Sequence, residues 1–347
     1  MNSMSNDSNQ SSAIPSGPPI VPPDFTHQFI LMGIIGSVSI ITNAFLFIII
    51  IRRKKLRTPA NDILFSMFIC GFLFGAVYVL PKWTNIEYIK WPIYCSLSSP
   101  IGVFFAFLFN LHQCLVCFDK FLALKWPLTY RIAVNHCKMM TVIVVIWIVA
   151  GFAAFSPLIF YRPINDKFCI LISRDFNAES TYLKVVYGLV FFVPLILMVL
   201  CYTGIIIIVN SRTQMDKYRN IASLDQTFFS ITVKTAKQMA VISGVFVVLW
   251  LPFIALSLYL VVNVHVVVHQ GSWILPMFEA FRFLAFAYPA INPILCGYYV
   301  TSIRRAMRHD VVRKLTVGNK KSSEKHSNSA NYTNSTGLHL SSQSQAF

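Results

Sequence analysis

Acidic side chains are scarce in this sequence. Asp and Glu together number 13 in 347 residues, and all charged residues make up only 12%. Soluble domains usually carry about 25%. Intrinsic disorder is excluded, because it needs low hydrophobicity and 56% of these residues are hydrophobic. A formal net charge of +16 would suit a nucleic-acid binder, but a soluble binder could not keep so much apolar surface in water. The scarcity of charge is also local. Six long stretches, 28–51, 63–80, 91–118, 139–161, 185–210 and 238–265, contain no Asp, Glu, Lys or Arg. A seventh, 272–300, holds only Glu279 and Arg282.

A bilayer core is crossed by about 20 helical residues, and each of the seven stretches is long enough. Runs such as Ile48–Ile51 are β-branched and would suggest strands in water. Their length and lack of polar alternation argue against barrel strands. Backbone groups in lipid must be satisfied within the segment, so helices follow. The expected fold is an all-α membrane protein, a seven-transmembrane helix bundle. A short amphipathic eighth helix is expected over 301–314, where Ile303, Met307 and Val311 recur among basic residues. Residues 1–27 form an extracellular N-terminus, 28–300 the membrane domain, and 315–347 a polar tail expected to be disordered.

Orientation follows from the loops. With the N-terminus outside, 22 of the 29 Lys and Arg lie in cytoplasmic segments and 6 outside, a strong positive-inside bias. The excess positive charge is then wholly cytoplasmic. It records topology and faces anionic lipid, with no nucleic-acid partner implied. No basic start followed by an apolar core precedes residue 27, so the first span is expected to act as its own insertion signal. Asn6 and Asn9 head Asn-x-Ser triplets in the outer segment and are candidate glycosylation sites.

Specific residues then narrow the class. Asn43 sits in the first span. The third ends Asp119-Lys120-Phe121, with Pro127 and Tyr130 beyond. The fourth holds Trp147 and Pro157, and the fifth Pro194 and Tyr202. The sixth reads Phe246-Val247-Val248-Leu249-Trp250-Leu251-Pro252-Phe253, and the seventh Asn292-Pro293. In this order the set resembles the rhodopsin-like (class A) G-protein-coupled receptors over residues 28–312. The resemblance implies a plasma-membrane receptor, not an enzyme and without a cofactor. Its partners would be an extracellular ligand and a heterotrimeric G protein, with arrestin and a receptor kinase as possible partners of the tail. The implied activation switch is Asp119, Lys120, Pro194, Tyr202, Phe246, Trp250, Pro252, Asn292 and Pro293. Each proline removes a helical hydrogen bond, so the helices are weakened where inner halves must swing.

The sequence departs from the family pattern at several positions. The family's Asp-Arg-Tyr is Asp119-Lys120-Phe121 here, and Lys lacks the planar donor fork of Arg. The Tyr three residues after Asn-Pro is Cys296. The buried acid of the second helix falls on Gly71, so the family's sodium site is expected to be absent. The sixth-helix acid that often restrains the third-helix Arg falls on Thr232, so raised basal activity is expected. These departures leave open a receptor-like protein that binds without efficient coupling. A transporter is a further alternative, though transporters usually show charges on several spans or paired repeats. His112, alone in mid-span, lacks the partners of an intramembrane protease.

Only Cys95 and Cys169, of eight cysteines, fall at the outer face. That side is oxidising, and the resemblance implies the same bridge. Cys114 and Cys117 have a C-x-x-C spacing that reads as packing in lipid. The acid that anchors amines in aminergic receptors falls on Gly102, and the retinal-binding Lys of opsins on Phe286. Candidate ligand contacts are Phe105, Tyr187, Trp250, Phe253, Ser257, Phe278, Glu279, Arg282 and Phe286. This lining is aromatic with one basic group, which favours a peptide or a lipid-like or anionic small molecule over an amine. Arg282 either meets an anionic ligand group or pairs with Glu279, three residues away. Glu279 itself could instead take a cation.

Overall fold

The computed structural model describes residues 26–84, 92–161, 175–219, 224–262 and 273–308. Seven helices among them are long and apolar enough to cross a membrane. Helix α1 spans Thr26–Arg52. Helix α2 starts at Pro59, capped by the Thr58 hydroxyl, which accepts from the Asn61 N–H at 3.3 Å. It runs through a wide π turn at Phe74–Val79 to Thr84. Helix α3 is Pro92–Lys125. Helix α4 is His136–Phe160, with Asn135 as its cap. Helix α5 begins at Phe176, widens at Gly188–Phe192 and continues over Val193–Arg219. Helices α6 and α7 are Leu224–Val262 and Ile274–Tyr299. Residues 301–308 form a further helical turn pair, with Ile303 buried. The rest of the expected eighth helix lies outside the described residues.

α3 is the central strut, packing against α2, α4, α5 and α6, while α1 closes the ring against α2 and α7. Ile30, Ile34, Ile41 and Phe45 on α1 and Val144, Ile148 and Phe152 on α4 stay exposed, at helical spacing. They form the faces that lipid would cover. The α5 start differs from the apolar window. Asp175 caps it by accepting from the Ala178 N–H at 3.0 Å, which adds residues 176–184, with Glu179 and Lys184, to the apolar span. Glu179 is only 2% exposed.

One rule organises four of the helical prolines. A proline frees the carbonyl four residues before it, and in lipid that oxygen needs another donor. Four such oxygens receive one from a neighbouring helix. Before Pro81, the Val77 carbonyl accepts from the Tyr94 hydroxyl at 2.5 Å. Before Pro157, Ala153 accepts from Tyr182 at 3.4 Å. Before Pro194, Val190 accepts from Asn110 Nδ2 at 3.1 Å, and Phe191 accepts from the same amide at 3.0 Å. Before Pro293, Pro289 accepts from Asn43 Nδ2 at 2.8 Å. At these four prolines the weak point in one helix is therefore stitched to another helix.

Candidate functional site

At the end of the bundle that carries Arg282, aromatic rings fill the centre. Trp250 is fully buried. It lies between Phe246 (6.0 Å between centroids), Phe109 (6.2 Å), Phe253 (6.2 Å) and Phe286 (6.3 Å). Phe253 also meets Phe278 at 5.3 Å, and Phe105 abuts Phe74 edge-on at 5.6 Å. Five of the nine candidate ligand contacts, Phe105, Trp250, Phe253, Phe278 and Phe286, thus belong to one aromatic mass. Tyr187 stands apart. Its ring packs on Phe107 and lines a crevice of about 50 Å³ between α3, α4 and α5, beside Glu179. The Ser257 hydroxyl is engaged by its own helix, donating to the Phe253 carbonyl at 2.6 Å.

The polar part of this end gathers on α1, α2 and α7. Arg282 forms an ion pair with Glu279 and donates to Gln28 Oε1 at 3.5 Å. On α2, Tyr78 stands beside Phe286 (5.6 Å between centroids). The Lys82 ammonium donates to the Tyr78 hydroxyl at 3.4 Å and lies 5.1 Å from its ring centroid. Tyr78 also decides what Gly102 means. A Cβ at Gly102 would lie 2.5 Å from the Tyr78 hydroxyl oxygen, so the volume of a side chain at that position is filled by the phenol from α2. Tyr78 and Lys82 were not among the residues singled out from the sequence. Lys82 sits past the apolar window, and the occupant of the space beside Gly102 depends on helix register.

At the opposite, basic end, Lys120 Nζ lies 2.6 Å from Asp119 Oδ2, and the Tyr130 hydroxyl donates to Asp119 Oδ1 at 2.6 Å. Asp119 is 3% exposed. Burial, and then the Asp119 charge, hold the Tyr130 phenol well above its ordinary range, so it remains a donor. A cavity of about 530 Å³ opens here between α2, α3, α6 and the 301–308 helix. Lys120, Thr232, Lys234 and Arg305 line it. Tyr202, the α5 switch candidate, does not reach Asp119. Its hydroxyl lies 3.0 Å from Ser243 Oγ.

Between the two ends runs a buried polar chain. Ser243 donates to Gln113 Oε1 at 2.9 Å. The other end of that amide, Nε2, donates to the Tyr288 hydroxyl. Tyr288 donates to Asn292 Oδ1 at 3.2 Å, with Cys296 Sγ 3.7 Å from the same oxygen. A second polar tie joins α2, α3 and α4. Trp147 Nε1 donates to Ser66 Oγ at 3.0 Å, and Ser66 lies 2.9 Å from His112 Nε2. His112 Nδ1 lies 2.8 Å from the Leu108 carbonyl, which places the ring proton there and leaves Nε2 to accept from Ser66. His112 thus has Ser66 as a partner, and the pair binds three helices together.

Cys169, Asn6 and Asn9 lie outside the described residues, as does the side chain of Cys95. Cys70, Cys114, Cys117, Cys137, Cys201 and Cys296 are free thiols. No cluster of three or more His, Cys, Asp or Glu able to hold a metal occurs among the described residues.

Comparison with known proteins agrees with this architecture. The crystal structure of squid rhodopsin superposes with a TM-score of 0.68, at 20% identity, covering 86% of this chain and 88% of that one. The chain is 22% identical over 302 residues to mouse trace amine-associated receptor 1, covering 82% of this chain and 88% of the relative. It is 22% identical over 331 residues to the mouse 5-hydroxytryptamine receptor 6, covering 84% and 72%. The family model for the 7 transmembrane receptors (rhodopsin family) matches residues 42–296. The chain belongs to that rhodopsin family: it is a multi-pass plasma-membrane receptor rather than an enzyme, and the family's partners are an extracellular ligand and a heterotrimeric G protein.

Proposed function

We propose that this receptor faces outward with its N-terminus, recognises a ligand carrying an anionic group, and activates G proteins through Lys120. The anionic group would belong to a peptide carboxylate or a lipid-like acid. The observation that carries this reading is the exchange at Gly102. Where an amine-anchoring acid would project, the Tyr78 phenol fills the space, and Lys82 and Arg282 stand near that phenol. Among the described residues, the polar group on α1, α2 and α7 sets two cations, Lys82 and Arg282, against one acid, Glu279, which favours an anion there. The aromatic mass around Trp250, Phe253 and Phe286 would hold the apolar body of the ligand. The bridge between Cys95 and Cys169 and glycans at Asn6 and Asn9 belong to the same proposal for the outer face.

The names of the relatives favour a second reading, in which Glu279 takes a cationic ligand and Arg282 acts as its resting counter-ion. A panel of peptides, lysophospholipids, fatty acids and primary amines, read by nucleotide exchange on G proteins in reconstituted membranes, separates the two. Activation by acids and not by amines supports the first reading, and the reverse supports the second. Ligand binding without exchange, unrelieved by Lys120→Arg, would identify a receptor that binds but does not couple.

A further inference from the structure

Gln113 stands in the middle of α3, 1% exposed, in a span without charge and next to the buried His112. A carboxamide buried at such a depth is costly unless both of its ends are satisfied. Here the two ends are satisfied by different helices. Oε1 accepts from Ser243 on α6 at 2.9 Å, and Nε2 donates to Tyr288 on α7.

The donors form an ordered chain. The Ser243 proton is used on Gln113, so the Tyr202 hydroxyl donates to Ser243, 3.0 Å away. On the other side, Tyr288 receives the amide proton and passes its own to Asn292 Oδ1 at 3.2 Å. α5 is thus connected through α6 and α3 to α7, and the connection passes through one side chain. Only a group that accepts at one end and donates at the other can join the two halves. Leucine joins neither, and a carboxylate loses the donor to Tyr288.

We propose that Gln113 is a positioning residue that ties α6 and α7 to α3 in the resting receptor. Release of Ser243 from its amide is the step that lets the inner half of α6 move. The proposal rests on the reading that α6 swings during coupling. The chain lies next to the stacked Phe246 and Trp250 rings and reaches Asn292, beside Pro293, so it couples the ligand end to the inner end without any charged residue. It also places a restraint on α6 at Ser243, about three helical turns from Thr232, where many relatives carry an acid.

The test uses full-length receptor with Gln113→Leu, Ser243→Ala, Tyr288→Phe and the Gln113→Leu/Ser243→Ala double variant. Two quantities are read without ligand: nucleotide exchange per surface receptor, and the spin-label distance between the inner ends of α3 and α6. Loss of the two amide bonds is expected to shift the resting equilibrium toward the open form by roughly tenfold. Ser243→Ala alone is expected to give a smaller shift in the same direction. The double variant should match Gln113→Leu, because the leucine has already cut the bond to Ser243. If Gln113→Leu fails to reach the surface, Ser243→Ala and Tyr288→Phe decide the matter between them.

An unchanged α3–α6 distance distribution in the surface-expressed variants, or additive effects in the double variant, overturns the proposal. A widened distance without exchange leaves the tie standing and removes the coupling reading instead.

Discussion

The carboxamide of Asn43 occupies the space into which a side chain at Gly71 would grow. A Cβ at Gly71 would meet Asn43 Oδ1 at 2.4 Å. Asn43 is fully buried, and its Nδ2 is committed to the carbonyls of Ser39 and Pro289, both at 2.8 Å. The first helix therefore fills a space that, in the family pattern, belongs to an acid on the second. Agonist affinity is expected to be the same in sodium and in a large organic cation, measured by competition binding. Gly71→Asp is expected to overpack the site and set a carboxylate against an acceptor oxygen, costing about 1–3 kcal/mol. A lowered thermal midpoint in detergent would show this, and a sodium-dependent shift in the natural receptor would refute it.

Asn110 supplies the partner that Pro194 withholds. Asn110→Leu removes both bonds to the Val190 and Phe191 carbonyls and is expected to cost about 1–3 kcal/mol, because those buried oxygens are then unpaired. Tyr94→Phe loses a single bond to Val77 and is expected to cost about 1 kcal/mol. Thermal unfolding of the two purified variants gives the order, and an equal or reversed order would contradict the stitching rule.

The Asp119–Lys120–Tyr130 cluster yields a pH prediction. The Tyr130 phenol titrates above its ordinary value of about 10. Its contribution to stability is fully present below that value and is lost as pH rises through the folded value, since unfolding then ionises the phenol. Tyr130→Phe is expected to flatten this alkaline part of the stability profile. The same substitution frees one oxygen of Asp119 and is expected to raise basal nucleotide exchange. Identical alkaline profiles in the two proteins would rule out the assignment.

The seven spans and the order of their motifs are legible in the sequence because apolar length is a one-dimensional property, and the Pro and Trp positions mark their own helices. The start of α5 is not legible that way. Its first turns carry Glu179 and Lys184, so a window that tolerates no charge begins at Val185. The ligand end is half legible. Arg282 and Glu279 stand out as charges in a span, whereas Tyr78 and Lys82 acquire meaning only from the register of α2 against α3. Asn110 and Gln113 did leave a signal, an amide in mid-span, which in lipid calls for an interhelical partner. Which partner each finds is fixed by packing alone.

Arg282→Ala tests the central account most directly. The measurement is the concentration–response of G-protein nucleotide exchange for whichever acidic or amine ligands activate the natural receptor, repeated on Arg282→Ala at equal surface expression. The account predicts that acidic ligands activate the natural receptor and lose at least about tenfold in potency on Arg282→Ala, as expected for one lost charge-assisted bond of about 1.5–3 kcal/mol. A primary amine that activates both receptors with equal potency, with acids inactive on both, would contradict it.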